Sequence, residues 1–367
     1  MITISLCMIV KNEEEVLARC LDSVGRAADE IVIADTGSTD RTKEIARRYT
    51  DQVYDFSWID DFSAARNFAF SKAKSDYILW LDADDVLPEK TREGLILLKE
   101  KLPPQTDMVM LPYHTAFDGA GRPVLTYYRE RLMRRAYGYR WEGEVHEVIP
   151  PAGNVITLPL PVEHRKQKPA ESGRNLRIFE RLLQQGKSLS PRQQFYYARE
   201  LMIAGRDQEA AGWLEHFLEE GKGWREDNIR ACLDLAGCLG RLGKRQHALA
   251  ALFRSFVYSE PRPEACCGAG DLFSGGGEYR RAAYWYQLAL SCRQPEESGG
   301  FRNPDYDRFI PCMQLCVCYD RLGDHAKAEE YHRQARALKP EDPAVAYNEA
   351  YFAGLHAAGA EEKPDAG

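Results

Sequence analysis

The segment Tyr77–Asp85, YILWLDADD, carries an apolar run into three aspartates, Asp82, Asp84 and Asp85. Carboxylates crowded at the end of a buried strand repel one another. A hard divalent ion, Mg2+ or Mn2+, offsets that repulsion and bridges the phosphates of a substrate. In extended backbone Asp82 and Asp84 face one way and Asp85 the other. The competing reading is a solvated acidic turn that caps a helix starting near Pro88; the buried strand ahead of the triplet favours the metal.

Further polar clusters interrupt the same part of the chain. DTGSTD (35–40) places Asp35 directly after a strand-like run, where it can accept from a base N–H or a ribose hydroxyl, while Ser38, Thr39 and Asp40 suit a helix cap. RWEGEVHEVI (140–149) gathers Trp141, Glu142, Glu144, His146 and Glu147; as a strand it would put Glu142, Glu144 and His146 on one face and Glu147 on the other. Trp141 suits either a stack on a sugar or the core. Arg129, Arg131, Arg134, Arg135 and Arg140 form the basic concentration of an acidic chain, and their alternation with apolar residues reads mostly as the solvent side of a hairpin.

These clusters need elements to hold them. Up to about residue 165 short apolar runs alternate with amphipathic stretches: strands at Ile2–Val10, Ile31–Ala34, Val53–Phe56 and Tyr77–Leu81, with helices between them, including 41–49 and 60–73. Continuous apolar runs indicate strands covered on both faces, as in a parallel sheet, whose ligands bind beyond the carboxyl ends of the strands. KNEE, DTGSTD and DADD all fall at such ends. From about residue 174 the pattern is helical and repeats as Gly205-x4-Ala210, Gly243-x4-Ala248, Gly277-x4-Ala282 and Gly323-x4-Ala328, at steps of 38, 34 and 46. A period near 34 resembles the tetratricopeptide repeat, a helical-hairpin solenoid. The long step contains QPEESGGFRNPD (294–305), read as a loop, and RKQKPAESGR (165–174) reads as a linker.

Four motifs then carry a family resemblance: SLCMIVKNEE (5–14), VIADTGSTD (32–40), FSAARNFA (62–69) and LWLDADD (79–85) resemble, in order, the motifs of glycosyltransferase family 2. The resemblance implies a GT-A fold and inverting sugar transfer from a nucleotide diphosphate, probed first with UDP-sugars, with Mn2+ or Mg2+. It implies a nucleotide-sugar site of Val10, Lys11, Asn12, Glu13, Asp35, Arg66, Asn67, Asp82, Ala83 and Asp84. It implies metal ligands among Asp82, Asp84, His146 and His164. Because RWEGEVHEVI is similar to a G-x-(V/I)-H-E motif of related members, Glu147 is the first choice of base, with Glu142 second. The full arrangement resembles SunS-type peptide glycosyltransferases, which implies a peptide or protein acceptor held by the repeats. The expected organisation is a catalytic α/β domain at 1–165, a linker at 166–174, an all-α tetratricopeptide-like solenoid at 175–355 and a flexible tail at 356–367.

Composition bounds the alternatives. The 367 residues are 44% hydrophobic and 29% charged, with a net charge of -7 from 49 Lys+Arg and 56 Asp+Glu, which fits a folded chain of two or three domains and opposes a nucleic-acid polymer as partner. The N-terminal residues lack a basic leader, and no apolar run approaches the ~20 residues that span a bilayer, so a cytoplasmic protein without a transmembrane segment is expected. The ten cysteines then read as reduced thiols, and Cys312, Cys316 and Cys318 with Cys266 and Cys267 lack zinc-site spacing. A dinucleotide-binding turn after the first strand and a phosphate loop are both missing: the strand leads into Lys11-Asn12-Glu13, and Gly186-Lys187-Ser188 has Arg181 where a Gly is required. Rival readings are a repeat scaffold with an inactive transferase domain, a nucleotidyltransferase, and a transferase acting on a polysaccharide or lipid-linked acceptor. Homodimerisation through the repeats is a further expectation.

Overall fold

The computed structural model describes residues 1–117, 119, 121–167, 172–292 and 303–361. It divides into two compact units, Met1–Gln193 and Gln194–Gly367. The first contains, in chain order, β1 (Ile4–Val10), α1 (Leu17–Val24), β2 (Glu30–Asp35), α2 (Thr42–Ala46), β3 (Val53–Asp55), α3 (Phe62–Lys72), β4 (Tyr77–Trp80), β5 (Asp85–Val86), α4 (Glu89–Lys101), β6 (Met108–Phe117), β7 (Pro123–Arg134), β8 (Val155–Thr157), β9 (Val162–His164) and α5 (Arg174–Gln184).

Among the described residues the strands form one mixed sheet in the order β3-β2-β1-β4-β7-β6-β9-β5, with β8 on β6. β3, β2, β1 and β4 are parallel. Their connections are helical, as parallel neighbours require. β7 enters antiparallel between β4 and β6. The sheet is covered on both sides, which accounts for its unbroken apolar strands. Ile4, Leu6, Met8 and Val10 of β1 join Leu17 and Leu21 of α1 in one core, whereas Cys7 joins Val32, Ala34, Ile78 and Trp80 with Ala69 and Phe70 of α3 in another. This is the period of two of a strand, expressed as two cores. The expected strands and helices thus appear, each within a few residues of its expected ends.

Three expectations shift. The segment from α5 to Gln193 belongs to the first unit, so the division falls after Gln193 instead of near 165. Polar contacts explain this: Arg181 pairs with Asp60 and donates to Ile59 O, Lys187 lies 3.2 Å from Glu144, and Gln193 Nε2 donates to Glu144 Oε2 at 2.6 Å. The tail expected at 356–367 is helical as far as Glu361, because the helix Pro343–Glu361 continues into it. Residues 168–171 of the expected linker and 294–302 of the expected insertion lie outside the described residues.

The second unit is helical: the greater part of α6 (Pro191–Ile203), then α7 (Asp207–Glu220), α8 (Arg225–Arg241), α9 (Arg245–Arg254), α10 (Pro263–Gly275), α11 (Tyr279–Ser291), α12 (Phe309–Arg321), α13 (His325–Leu338) and α14 (Pro343–Glu361). Each hairpin turn carries its repeat glycine in the left-handed region, at φ of +72°, +72°, +76° and +80° for Gly205, Gly243, Gly277 and Gly323, where a side chain would be strained. Five residues on, Ala210, Ala248, Ala282 and Ala328 are all 0% exposed. A methyl group at that position lets paired helices approach closely, so the sequence period is a packing period. The cysteines are free and, apart from half-buried Cys292, buried. Burial raises the thiols of Cys266, Cys267 and Cys318, consistent with their role as small core residues. No described helix is long and apolar enough to cross a membrane.

Candidate active site

The carboxyl ends of β1, β2 and β4 carry the polar clusters, as a parallel sheet dictates. After β2, Asp35 is 1% exposed. Its Oδ1 accepts from the amides of Gly37 and Ser38 at 3.0 and 2.9 Å, an arrangement that Gly37 permits with φ of +104°. Lys43 Nζ stands 3.6 Å from the same oxygen. Asp35 Oδ2 is buried with no hydrogen-bond partner. A buried carboxylate oxygen left in that state is costly unless a ligand donor completes it.

The two turns beyond β1 and β2 brace each other. Asn12, with φ of +56°, accepts from Thr39 N at 2.8 Å and donates its amide to Ser38 Oγ at 3.0 Å. Glu13 N donates to Thr42 Oγ1 at 2.7 Å. Asp40 accepts from Thr42 N at 2.9 Å and Glu14 N at 3.2 Å. Val10 is buried, while Lys11 and Asn12 are exposed beside Asp35's turn. Ser38 and Asp40 therefore serve the turn and the start of α2, as their types suggested.

At β4 the three aspartates have three different surroundings. Asp82 Oδ1 accepts from Arg66 Nη2 at 2.7 Å. Burial opposes its ionisation, but Arg66 and then Arg131 overcome this and hold the carboxyl at about 2. Ala83 is buried. Asp85 is 0% exposed and uses both oxygens internally. Its Oδ2 accepts from Arg131 Nη1 at 2.9 Å and Asp82 N at 3.0 Å, and its Oδ1 from Tyr113 OH at 2.7 Å. Asp84, half-buried, lies 3.2 Å from His164 Nδ1. The β5–β9 pairing sets Asp85 opposite His164 and so makes this encounter. Burial lowers the His164 pKa, yet its hydrogen bonds to Asp84 and Asp85 win and raise it to about 10.

Among the described residues, Asp84, Asp85 and His164 are the group whose ligand atoms gather closely enough for a metal ion. The donor set, carboxylate oxygen with imidazole nitrogen, suits Mn2+ at least as well as Mg2+. Of the expected ligands, Asp84 and His164 meet. Asp82 is instead paired with Arg66, and His146 lies elsewhere, its carbonyl accepting from Arg192 Nε at 3.2 Å.

RWEGEVHEVI is a tight turn closed by mutual hydrogen bonds of Glu142 and Val148, with Gly143 at φ +93° and His146 at φ +52°. The one-face alternation expected of a strand therefore does not apply. Glu147 accepts from Arg66 Nε at 2.6 Å, Glu144 receives Lys187 and Gln193, and Glu142 is exposed. Trp141 is 3% exposed and packs edge-on to Trp80, ring centroids 4.8 Å apart, so it is core.

The basic cluster faces solvent only in part: Arg135 and Arg140 are exposed. Arg131 is fully buried, with its guanidinium 3.8 Å from the Trp80 ring and 4.3 Å from Tyr113. The rings cover its unpartnered Nε and Nη2. Arg129 is paired with buried Glu130 at 2.9 Å. Sequence reasoning missed Tyr113, Glu130 and the buried role of Arg131. Arg131 is aligned with the end of β4 because β7 pairs antiparallel with it, Leu132 opposite Leu79.

Residues 5–153, all within the first unit, match the family model described as glycosyl transferase family 2. Over 87 residues the chain is 52% identical to a TPR repeat-containing protein of Synechococcus elongatus, covering 24% of this chain and 22% of that one. It is 29% identical to the SPbeta prophage-derived glycosyltransferase SunS of Bacillus subtilis, covering 60% and 54%. It is 32% identical to the lipopolysaccharide core biosynthesis glycosyltransferase LpsC of Rhizobium meliloti, covering 41% and 58%. The matches thus span from about a fifth to just over half of those relatives' own length. Solved structures of MamA (TM-score 0.37, 16% identity, 45% of this chain and 87% of that one) and of PilW (0.39, 18%, 47% and 73%) are also similar.

Proposed function

We propose that the chain is a metal-dependent, inverting glycosyltransferase that moves a sugar from a nucleoside diphosphate-sugar, a UDP-sugar first among candidates, to a peptide or protein side chain held by the helical repeats. One observation carries the reading. An unpartnered buried acceptor, Asp35 Oδ2, and the Asp84–His164 pair stand beyond the ends of β2 and β4, which flank β1. Strands two apart are separated by ~10 Å, a span suited to a nucleoside diphosphate lying across the sheet end. Asp35 would take an N–H of the base, beside Val10, Lys11, Asn12 and Glu13. Asp84 and His164 would hold the cation, which when bound supplies charge stabilisation for the departing diphosphate.

Glu147 serves as the base that takes the acceptor proton, with exposed Glu142 the second choice. A peptide acceptor is favoured because helical hairpin repeats present extended surfaces for peptides, and because SunS is among the relatives. A polysaccharide or lipid-linked acceptor is the alternative that the LpsC relationship favours.

The test is donor binding and hydrolysis with Mn2+ across a panel of UDP- and GDP-sugars, read by native mass spectrometry and nucleoside diphosphate release. Binding of one donor that is lost on Asp35→Asn or Asp84→Asn supports the reading. Failure of every donor leaves the scaffold reading in its place. Pyrophosphate release from a nucleoside triphosphate with a sugar phosphate would indicate a nucleotidyltransferase instead.

A further inference from the structure

Arg66 and Asn67 are adjacent on α3, and the family resemblance sends both to the nucleotide. Their side chains are engaged in another way. Asn67 Oδ1 accepts from Trp141 N at 2.9 Å while its Nδ2 donates to Trp141 O at 3.0 Å. The side-chain amide thereby satisfies both backbone groups of one residue in the turn 141–148, as a neighbouring strand would. Arg66, 8% exposed, donates from Nε to Glu147 at 2.6 Å, at the far end of that turn, and from Nη2 to Asp82 at 2.7 Å. Its guanidinium lies 5.0 Å from the Trp80 ring and 4.7 Å from the Trp141 ring. The turn is closed by the Glu142–Val148 bridge and contains two residues at positive φ, Gly143 and His146. Such a segment keeps one shape only when its surroundings fix it.

We propose that Arg66 and Asn67 are positioning residues that latch the 141–148 turn onto the end of β4, so that Glu147 and Asp82 are held in one fixed relation by a single guanidinium. The proposal rests on the reading of the site as a transferase site for its catalytic consequence, but not for its structural one. Two independent attachments make the case. Asn67 fixes the start of the turn through backbone, with no charge involved. Arg66 fixes its end through a carboxylate. A residue whose role was to hold a diphosphate would gain nothing from Asn67's two backbone bonds to Trp141. The flat guanidinium between two indole rings is restrained in its plane, and it presents its fork to two carboxylates on different elements at once. An error of about 1 Å in such a relation costs ~10²-fold in turnover.

Asn67→Ala and Arg66→Lys separate this from nucleotide binding. Hydrogen exchange measured on the full chain without ligand should show faster exchange across 141–148 in both variants, with β1 and β2 unchanged. If the protection of that turn is unaltered, the latch is refuted, whatever the protein's function. UDP with Mn2+ is the second probe. Its Kd should stay within about threefold of the wild type in Asn67→Ala, while turnover of the UDP-sugar falls ~10- to 100-fold, consistent with losses at supporting residues. A tenfold or larger loss of UDP affinity in Asn67→Ala with 141–148 still protected would assign the residue to the nucleotide and overturn the proposal. A wild type that binds no nucleotide would defeat the transferase reading, and the exchange result would still decide the latch. Arg66→Lys, which keeps the charge but not the fork, should recover less than half of the lost protection seen against Arg66→Ala; full recovery would show that charge alone suffices and would remove the bridging geometry from the argument.

Discussion

Arg131→Met tests whether the acidic triplet is held by a buried cation. In the folded protein Arg131 and Asp85 are each 0% exposed, 2.9 Å apart. Removing the cation leaves a carboxylate with no solvent, held by Tyr113 OH, the Asp82 amide and, at 3.3 Å, His164 Nδ1. Breaking a buried pair from one side costs ~3–5 kcal/mol. For a unit of Met1–Gln193, at roughly 2–4 °C per kcal/mol, the midpoint should fall by about 6–20 °C. Because the chain has two units, the measurement must be local: urea dependence of hydrogen exchange in peptides from β4 and β7, with α10 and α11 as internal reference. Met fills most of the space between the rings, so loss of packing contributes little. The companion variant Arg131→Met with Asp85→Asn removes both charges and should recover all but about 1–2 kcal/mol, since Asn can still accept from one of the former donors. A single-variant loss below 1 kcal/mol, or a double variant no better than the single, would refute the electrostatic account.

Asp35→Asn should leave the fold intact, because the amide oxygen still accepts from Gly37 and Ser38, yet weaken UDP binding by ~10- to 100-fold by turning the unpartnered oxygen into a donor; titration calorimetry that finds less than a threefold change would remove Asp35 from the nucleotide site. Glu147→Gln should lower transfer to a hydroxyl acceptor by ~10²–10⁴; near-normal turnover would exclude Glu147 as an essential base and point to a thiol acceptor, which ionises near ~8.5. With metal chelated, the raised pKa of His164 gives a stability contribution that is fully present below its ordinary value of 6.5 and is lost as pH rises through about 10. Melting profiles of wild type and His164→Gln should therefore converge between those limits, and parallel profiles would contradict the Asp84–His164 pairing.

What was legible in the sequence was whatever depends on neighbours along the chain. The strands β1, β2 and β4 and the hairpin turns at Gly205, Gly243, Gly277 and Gly323 follow from apolar runs and from glycine where φ is positive. The location of Asp35 and of Asp82–Asp85 at strand ends follows from them. What was not legible is which distant side chain meets each carboxylate. Arg131, Tyr113 and His164 come from β7, β6 and β9, and their approach is fixed by the order β4-β7-β6-β9-β5 and its antiparallel registers. Arginines spaced along a strand look like a solvent face, because nothing local shows that Trp80 and Tyr113 will enclose one of them. The same limit applies to Glu147: as a strand, 140–149 would have ordered its acids by alternation, but positive φ at Gly143 and His146 turns the segment and makes Asn67 and Arg66 its anchors.

Those distant partners also change the charge that a cation would meet. Three aspartates at the end of a strand suggest a triply negative site that binds a divalent ion unaided. In the structure Asp82 is paired with Arg66 and Asp85 with Arg131, so Asp84 is left beside an imidazole that a proton prefers to occupy. One carboxylate and one histidine make a weak site for free Mn2+ or Mg2+, ions that ordinarily complete their coordination with substrate phosphates. Affinity for the ion should therefore depend on the nucleotide, and by thermodynamic reciprocity UDP and Mn2+ must tighten each other by the same factor. Calorimetric titrations of Mn2+ with and without UDP should differ by at least tenfold, as should titrations of UDP with and without Mn2+. Arg131→Met with Asp85 retained adds a negative charge beside Asp84, and provided the site stays folded it should tighten free Mn2+ and reduce that coupling. Free Mn2+ binding that is already tight in the wild type and indifferent to UDP would mean that the arginines do not neutralise the triplet.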